Sequence, residues 1–319
     1  MGIFHPNRRA VPALTVMLES HLVPPAFSET ASPIRIFVGS GDASMVERRT
    51  LVYSLRKHTR RPLEIWTYNG TRRVVENEAG ETRDCAPWLE IPHRGFVTEF
   101  SLFRYLIPEL CGHQGKAIYL DSDMVCLGDI GALFDTGLDG ADFAARPNAY
   151  PEIAPERWAL SVLVIDCGRC RFDLPRIFDH IAAGRFTYPE FAQLGRRTKG
   201  YLPYSIRALP DCWNSFDRYD ESTRLIHYTD LDRQPWKFRY HAYGDLWFRY
   251  LREAMEAGGI TGEELDEAIA KGYVRRDIRA GTRGLDTGAQ RLLGRVHEGR
   301  LAARDVVRRV AHFVKRTNV

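Results

Sequence analysis

The chain has 319 residues, 44% hydrophobic and 27% charged, which is enough apolar sequence to bury a substantial core. The net charge of +4 is unevenly distributed. Residues 271–319 hold 13 Lys and Arg against 4 Asp and Glu, whereas the other 270 residues hold 32 against 37. The body of the protein is therefore slightly acidic, which disfavours a nucleic-acid partner bound over the whole surface.

The apolar runs at 13–18 and 160–165 are too short to span a bilayer, and a cytoplasmic protein is expected. The six cysteines are scattered along the chain, which is typical of free thiols in a reducing compartment. Cys167 and Cys170 form a single CxxC motif. Since no second CxxC lies near it, a zinc site is disfavoured and a redox pair is weakly supported.

In chain order, residues 1–33 are predicted to be an irregular lead-in. The β-branched run at 34–39 predicts a buried strand, which a loop at 39–42 connects to a helix over 45–58. A second strand is predicted at 63–68. This βαβ order indicates a parallel sheet covered by helices.

The alternation of helices and strands continues beyond the first βαβ unit. The periodicity of apolar residues predicts an amphipathic helix over 99–110, with a proline close to its end. Further strands are predicted at 116–120, 141–145, 160–166 and 224–229.

Two carboxylates follow the predicted strand at 116–120, in the order Asp121-Ser122-Asp123. Residues i and i+2 of an extended chain point to the same side, so both carboxylates can converge beyond the carboxyl end of the strand. A divalent cation such as Mg²⁺ or Mn²⁺ would relieve their repulsion and bind substrate phosphates. The alternative is a strand-to-turn junction whose aspartates cap a loop; the apolar segments on both sides favour the metal site.

Residues 103–134, "FRYLIPELCGHQGKAIYLDSDMVCLGDIGALF", resemble the central segment of the family-8 glycosyltransferases. A weaker resemblance covers about residues 34–240. It implies an α/β catalytic domain of GT-A (Rossmann-like) fold over 34–240, with a mixed sheet flanked by helices, followed by a basic helical extension at 241–319. Members of this family are retaining, metal-dependent enzymes that use nucleotide sugars. The resemblance thus implies transfer of a hexose from a UDP-sugar to a glycan or a lipid-linked saccharide.

The same resemblance implies roles for individual residues. Asp121, Asp123 and His227 are expected to bind Mn²⁺ or Mg²⁺, and an imidazole with two carboxylates suits such an ion. Asp121 is also expected to contact the ribose and Arg104 to approach the donor, so the expected catalytic residues are Asp121, Asp123 and Arg104. The expected nucleotide-binding residues are Gly39, Ser40, Asp42, Arg104, Asp121, Ser122, Gln234 and Trp236.

Residues 225–238 resemble the family motif His-x-x-Gly-x-x-Lys-Pro-Trp but depart from it. Asp230 replaces the glycine, the spacing from His to Trp is one residue longer, and no lysine precedes the Pro-Trp pair. Arg233 or Gln234 could bond the phosphates instead, with Lys237 beyond them, and the sequence does not distinguish among them.

The sugar pocket departs from the family as well. Ala159 and Ser161 stand where the family usually has Asn-x-Gly, which leaves the sugar unassigned. The alternative interpretation is a catalytically weak GT-A domain that binds a nucleotide sugar or a glycan. A nucleotidyltransferase ranks lower, because the loop after the first strand has no basic residue. Asp166, Glu190 and Asp211 are available carboxylates, and no nucleophile is assigned among them.

Residues 301–317 are predicted to form an amphipathic helix with apolar and basic faces. One interpretation is reversible attachment to an anionic membrane surface, which would place the protein peripherally on the inner face of the membrane. The alternative is a helix that packs its apolar face on the body of the protein.

Overall fold

The computed structural model describes residues 32–85, 101–147 and 156–283, together with positions 292, 296 and 299. Almost all of the predicted lead-in and all of the predicted amphipathic helix at 301–317 lie outside the described residues.

Two sheets organise the described part of the chain. The strands are β1 (Ile34–Ser40), β2 (Leu63–Asn69), β3 (Val74–Asn77), β4 (Thr82–Asp84), β5 (Lys116–Asp121), β6 (Met124–Cys126), β7 (Phe143–Pro147), β8 (Trp158–Asp166), β9 (Ile206–Ala208), β10 (Ser215–Phe216) and β11 (Leu225–His227). The large sheet has the order β4-β3-β2-β1-β5-β8-β7-β9, and the small sheet has the order β10-β11-β6. β1 is parallel to β2 and β5, whereas β8 is antiparallel to β5 and β7.

The helices flank these sheets. They are α1 (Met45–His58), α2 (Ile107–Leu110), α3 (Ile130–Phe134), α4 (Leu174–Ala182), α5 (Tyr188–Phe191), α6 (Gly244–Glu256), α7 (Gly262–Ala270) and α8 (Ile278–Thr282). The predicted mixed α/β architecture is therefore confirmed. No helix in the described ranges is long and apolar enough to cross a bilayer.

The predicted helix over 99–110 is not continuous. Residues 103–106 form a 3₁₀ turn, and α-helical structure is confined to α2 at 107–110. Pro108 explains the change, because it has no N–H to donate to the carbonyl of Arg104 and is tolerated only in the first turn of a helix. The strand predicted at 141–145 is shifted towards the C-terminus, to β7 at Phe143–Pro147. The strand predicted at 224–229 is shorter, as β11 at Leu225–His227.

The core lies on both faces of the large sheet because side chains alternate along its central strands. In β1, Phe37 contributes to one hydrophobic cluster, while Ile36 and Val38 contribute to the other. In β5, Tyr119 faces the first cluster and Leu120 the second. The side chain of Tyr119 therefore lies on the same face of the sheet as the segment at 103–110.

A third hydrophobic cluster joins the helices beyond residue 241 to the small sheet. Trp247 of α6 packs with Val46 of α1, Val125 of β6 and Ile226 of β11. Helices α6 to α8 thus share a core with elements of the preceding domain, and the boundary at residue 240 stays a prediction.

Candidate active site

The end of β5 brings three potential metal ligands together. Asp121 is the last residue of β5, and Asp123 lies in the short turn that leads to β6. β11 pairs antiparallel with β6, which places His227 opposite Met124 and next to Asp123. One ligand atom from each of Asp121, Asp123 and His227 lies within 4.8 Å of the others.

Asp121 is fixed by a cation and a phenol. Arg104 donates a hydrogen bond from Nη2 to Asp121 Oδ1 at 3.2 Å, and the Tyr119 hydroxyl donates to the same oxygen. The guanidinium of Arg104 also lies over the Tyr119 ring, 4.7 Å from its centroid, and donates to the carbonyl of Leu160. Burial raises the pKa of Asp121, and Arg104 opposes this shift only in part.

Asp123 is oriented by the turn that follows β11. Gln234 donates from Nε2 to Asp123 Oδ2 at 2.9 Å and to the carbonyl of Tyr228 at 3.0 Å. The backbone N–H of Tyr228 donates to the carbonyl of Asp123 at 2.9 Å. Gln234, which precedes the Pro-Trp pair where the family has lysine, therefore holds a carboxylate of the site in place.

His227 is held from both sides. Its Nε2 lies 3.0 Å from Asp123 Oδ1, and its Nδ1 lies 3.0 Å from Oδ1 of Asn214. The amide nitrogen of Asn214 donates to the Ser161 hydroxyl at 2.9 Å. Because the Asn214 carbonyl accepts, the Nδ1 of His227 carries a proton, and in the neutral imidazole Nε2 is free to bind a cation. Burial lowers the pKa of His227, but the carboxylates of Asp123 and Asp121 outweigh burial and leave the pKa above its usual value.

These three groups fit a divalent metal ion. Two carboxylates and an imidazole, all converging on one point, are a ligand set that Mn²⁺ and Mg²⁺ sites use. The hydrogen bonds from Gln234 and Asn214 orient the ligands from behind, as second partners do in metal sites.

The residues expected to bind the nucleotide lie at two places. Gly39 pairs in register with Asp121, so the end of β1 and the loop after it lie beside the three potential ligands. Ser40 and Ser122 are buried there, and Asp42 accepts a hydrogen bond from Asn69 at 2.6 Å.

Trp236 lies in the core. It is fully buried and packs against Trp247 and Tyr228, with ring centroids 5.0 and 6.0 Å away. The structure does not bring it to the three potential ligands, and its contact with a donor stays a prediction.

The candidate nucleophiles are engaged elsewhere. Asp166 pairs with Lys116 at the opposite end of β5 and accepts from the N–H groups of the turn after β8. Glu190 closes a capping box at the start of α5. Asp211 binds Arg146 at 3.1 Å, and Arg146 in turn donates to the carbonyl of Asn214. No nucleophile is assigned.

Sequence reasoning missed three residues of the site. Tyr119 could have been found, because it stands two residues before Asp121 and shares its side of the strand. Asn214 lies in an irregular segment with no local signal. Glu47, in the first turn of α1, is 5% exposed, and its Oε2 has no hydrogen-bond partner among the described residues. Burial, together with the charge of Asp123, raises the pKa of Glu47 to about 7.

The chain is similar in sequence to known proteins. The model of glycosyl transferase family 8 matches residues 71–159. The Arabidopsis thaliana protein named Protein CDI is 24% identical over 263 residues, which are 71% of this chain and 89% of that protein.

Two solved structures match this chain. An active-site mutant of LgtC has a TM-score of 0.51 and 13% identity, covering 70% of this chain and 96% of that one. The glycosyltransferase GlyE of Streptococcus pneumoniae TIGR4 has a TM-score of 0.49 and 18% identity, and the match covers 72% of this chain but 65% of GlyE.

The likeness to LgtC shows a mixed sheet of the GT-A type, as predicted. The match of the glycosyl transferase family 8 model to residues 71–159 confirms the resemblance to that family seen in the sequence.

Proposed function

We propose that this protein is a metal-dependent, retaining glycosyltransferase that moves a hexose from a UDP-sugar to a glycan or a lipid-linked saccharide. The observation that supports it is the convergence of Asp121, Asp123 and His227 within 4.8 Å at the carboxyl end of β5. In open α/β sheets, ligands bind at this edge.

Asp121, Asp123 and His227 would hold Mn²⁺ or Mg²⁺, which would stabilise the negative charge that develops on the leaving UDP. Other residues of the chain position the two carboxylates that would bind the ion. Arg104 positions the buried Asp121 and favours its ionised form, and Gln234 holds Asp123 with one oxygen turned towards His227. The loop at 39–42 would bind the uridine beside them.

Of the residues considered for the diphosphate, Lys237 fits best. Gln234 is already bonded to Asp123, and Arg233 pairs with Asp230 at 3.7 Å. Lys237 is exposed, and its charge is near enough to affect the pKa of Glu47. We therefore propose that Lys237 supplies the cation that the family lysine would supply one turn earlier.

The test is calorimetry of UDP binding with and without Mn²⁺, comparing Asp123→Asn with the unaltered protein. A charge contact at about 4 Å is worth roughly 4 kcal/mol at an effective dielectric near 20, so UDP affinity in Mn²⁺ should fall by about 100-fold or more. Asp179→Asn, at an exposed position of α4, is the matched control and should leave affinity unchanged. Unchanged, metal-independent binding by Asp123→Asn would contradict the proposal.

A second measurement separates turnover from binding. UDP-hexoses incubated with Mn²⁺ should be hydrolysed slowly, and NMR of the first sugar released should show the anomeric configuration of the donor. The alternative function is a binding module. It has one structural observation in its favour: the Ser161 hydroxyl, near the expected sugar pocket, accepts from Asn214. Mn²⁺-dependent UDP binding without hydrolysis of any UDP-hexose would establish that alternative.

The acceptor side is proposed from the sequence alone. The basic amphipathic segment at 301–317 would bring the enzyme to an anionic membrane surface, where about 1 kcal/mol per basic residue suffices for reversible attachment. Sedimentation with anionic liposomes, with Arg308→Glu and Arg309→Glu as the charge-reversed comparison, checks this. Equal sedimentation of both proteins would contradict it.

A further inference from the structure

A pair of cysteines lies at the edge of the large sheet opposite the candidate active site. Cys111 caps the C-terminal end of α2, and Cys167 directly follows β8. The backbone N–H of Cys167 donates to the carbonyl of Gly115 at 2.9 Å, next to the pairing of Lys116 with Asp166. This bond fastens the turn after α2 to the end of β8, and it keeps the two cysteines together.

Their side chains meet beside an arginine. The Cys111 side chain packs against the hydrophobic cluster that contains Cys167, and its thiol interacts with the Cys167 thiol and with the guanidinium of Arg35. Arg35 is itself held by the carbonyl of Gln114 at 3.2 Å and by Glu64 at 3.6 Å. The guanidinium is therefore fixed where it can stabilise a thiolate.

The two thiols are not equivalent. Cys111 is partly exposed, whereas Cys167 is fully buried. The hydrogen bond from Cys167 is the largest influence on Cys111, and together with Arg35 it outweighs burial and lowers the pKa of Cys111 to about 7. The second thiol and the cation therefore favour the thiolate, which is the reactive form, at Cys111.

The remaining thiols differ from Cys111. Burial raises the pKa of Cys85 and Cys126 to about 12 and also raises that of Cys170. Cys212 is partly exposed like Cys111, but burial raises its pKa too. Within the CxxC motif, Cys167 therefore interacts chiefly with Cys111 and only weakly with Cys170.

We propose that Cys111 is a peroxide-reactive thiol and that Cys167 resolves its oxidised form into a Cys111–Cys167 disulfide. A thiolate that is accessible, adjacent to a fixed cation and in contact with a second thiol is the arrangement that reversible thiol oxidation requires.

The chemistry balances with hydrogen peroxide as the oxidant. The Cys111 thiolate attacks one peroxide oxygen, the O–O bond breaks, and protonation of the departing hydroxide leaves a sulfenic acid and one water. The Cys167 sulfur then attacks the Cys111 sulfur, the S–O bond breaks, and the thiol proton leaves with the oxygen as a second water. In total, two thiols and one peroxide give one disulfide and two waters.

The disulfide would link two segments that hold Arg104. The turn that contains Cys111 continues from the 103–110 segment, and β8 contains Leu160, whose carbonyl accepts from Arg104. The inference itself rests on the thiol cluster alone and does not depend on the proposed glycosyl transfer.

The first measurement needs no variant. The full chain is alkylated with N-ethylmaleimide at a series of pH values around 7, and the rate at each cysteine is followed by peptide mass spectrometry. Cys111 should react at least tenfold faster than Cys212, with a rate that rises to half its maximum near pH 7. Equal rates at the two partly exposed cysteines would overturn the proposal.

The second measurement maps the product. After treatment with hydrogen peroxide, digestion under non-reducing conditions should give a peptide cross-linked between Cys111 and Cys167, which dithiothreitol reverses. Cys170→Ser should leave that cross-link intact, whereas Cys167→Ser should let dimedone capture a sulfenic acid at Cys111. A cross-link between Cys167 and Cys170, or no cross-link and no dimedone adduct at Cys111, would show that the proposal is wrong.

Discussion

The two aspartates of the candidate site are held in different ways. Asp121 lies against a permanent cation, Arg104, and a phenol, Tyr119, and all three come from 18 consecutive residues. Asp123 faces His227, whose positive charge depends on a proton. The Asp121 half is therefore complete without a metal ion, whereas in the Asp123 half a cation would replace the proton of the imidazole.

The Asp123 half is therefore the one expected to respond to metal. Removing a partner from the Asp121 half should chiefly change the stability of the fold. Removing a partner from the Asp123 half should chiefly change metal binding.

Arg104→Ala should have the largest effect, and the effect should be on stability. The side chains of Arg104 and Asp121 are 13% and 17% exposed, so the substitution leaves a buried carboxylate without its cation. Breaking such a pair costs about 3–5 kcal/mol, which urea unfolding would measure. Arg56→Ala, which removes an ion pair whose side chains are 54% and 43% exposed, is the control and should cost less than about 1 kcal/mol. Similar losses in both variants would show that Arg104 does not stabilise the Asp121 half.

The Asp121 half was also the more predictable from the sequence. The run of apolar and aromatic residues before Asp121 predicted β5, and the period of two along a strand predicted that Asp121 and Asp123 converge. The secondary structure around Arg104 was nonetheless predicted incorrectly in part. The segment carrying Arg104 was predicted as one helix, and Pro108 divides it into a 3₁₀ turn and a short helix.

Most contacts of the Asp123 half could not be predicted from the sequence, because the partner residues are distant along the chain. Gln234 stands 111 residues from Asp123, and Asn214 comes from an irregular segment 13 residues before His227. A motif can show that His227 follows a strand, but the contacts of Gln234 and Asn214 depend on how two turns fold over β6. No local periodicity encodes such contacts.

Glu47→Gln should change how stability depends on pH. The pKa of Glu47 is about 7 in the folded protein, against an ordinary value near 4.5, because burial penalises its charge. The folded state therefore holds the proton more tightly. The stability contribution of Glu47 is fully present below about pH 4.5 and is lost as pH rises through 7, a loss on the order of 3 kcal/mol.

The measurement is the free energy of unfolding at several pH values between 4.5 and 8. The difference between Glu47→Gln and the unaltered protein should shift in favour of the variant as pH rises across this range, and should level off above 7. Glu190→Gln is the comparison, since hydrogen bonds to Thr187 lower the pKa of that carboxyl. A difference that stays constant with pH would mean that Glu47 is ionised normally and that the Asp123 half has no excess negative charge to relieve.

Asn214→Ala should have the smallest effect on the fold and a selective effect on metal binding. Asn214 is fully buried, and its carbonyl oxygen fixes the tautomer in which His227 presents Nε2 towards Asp123. Loss of such an orienting partner typically costs about 10–100-fold in metal affinity. Mn²⁺ titration followed by electron paramagnetic resonance, without nucleotide, measures this independently of activity.

Asn69→Ala removes an equally buried asparagine that contacts Asp42 and not the three ligands, so it should leave Mn²⁺ affinity unchanged. Asn214→Asp keeps an acceptor for the Nδ1 proton and should retain more affinity than Asn214→Ala. If Asn69→Ala and Asn214→Ala weaken Mn²⁺ equally, the loss comes from general destabilisation. The Asp123 half would then not be the metal-responsive one.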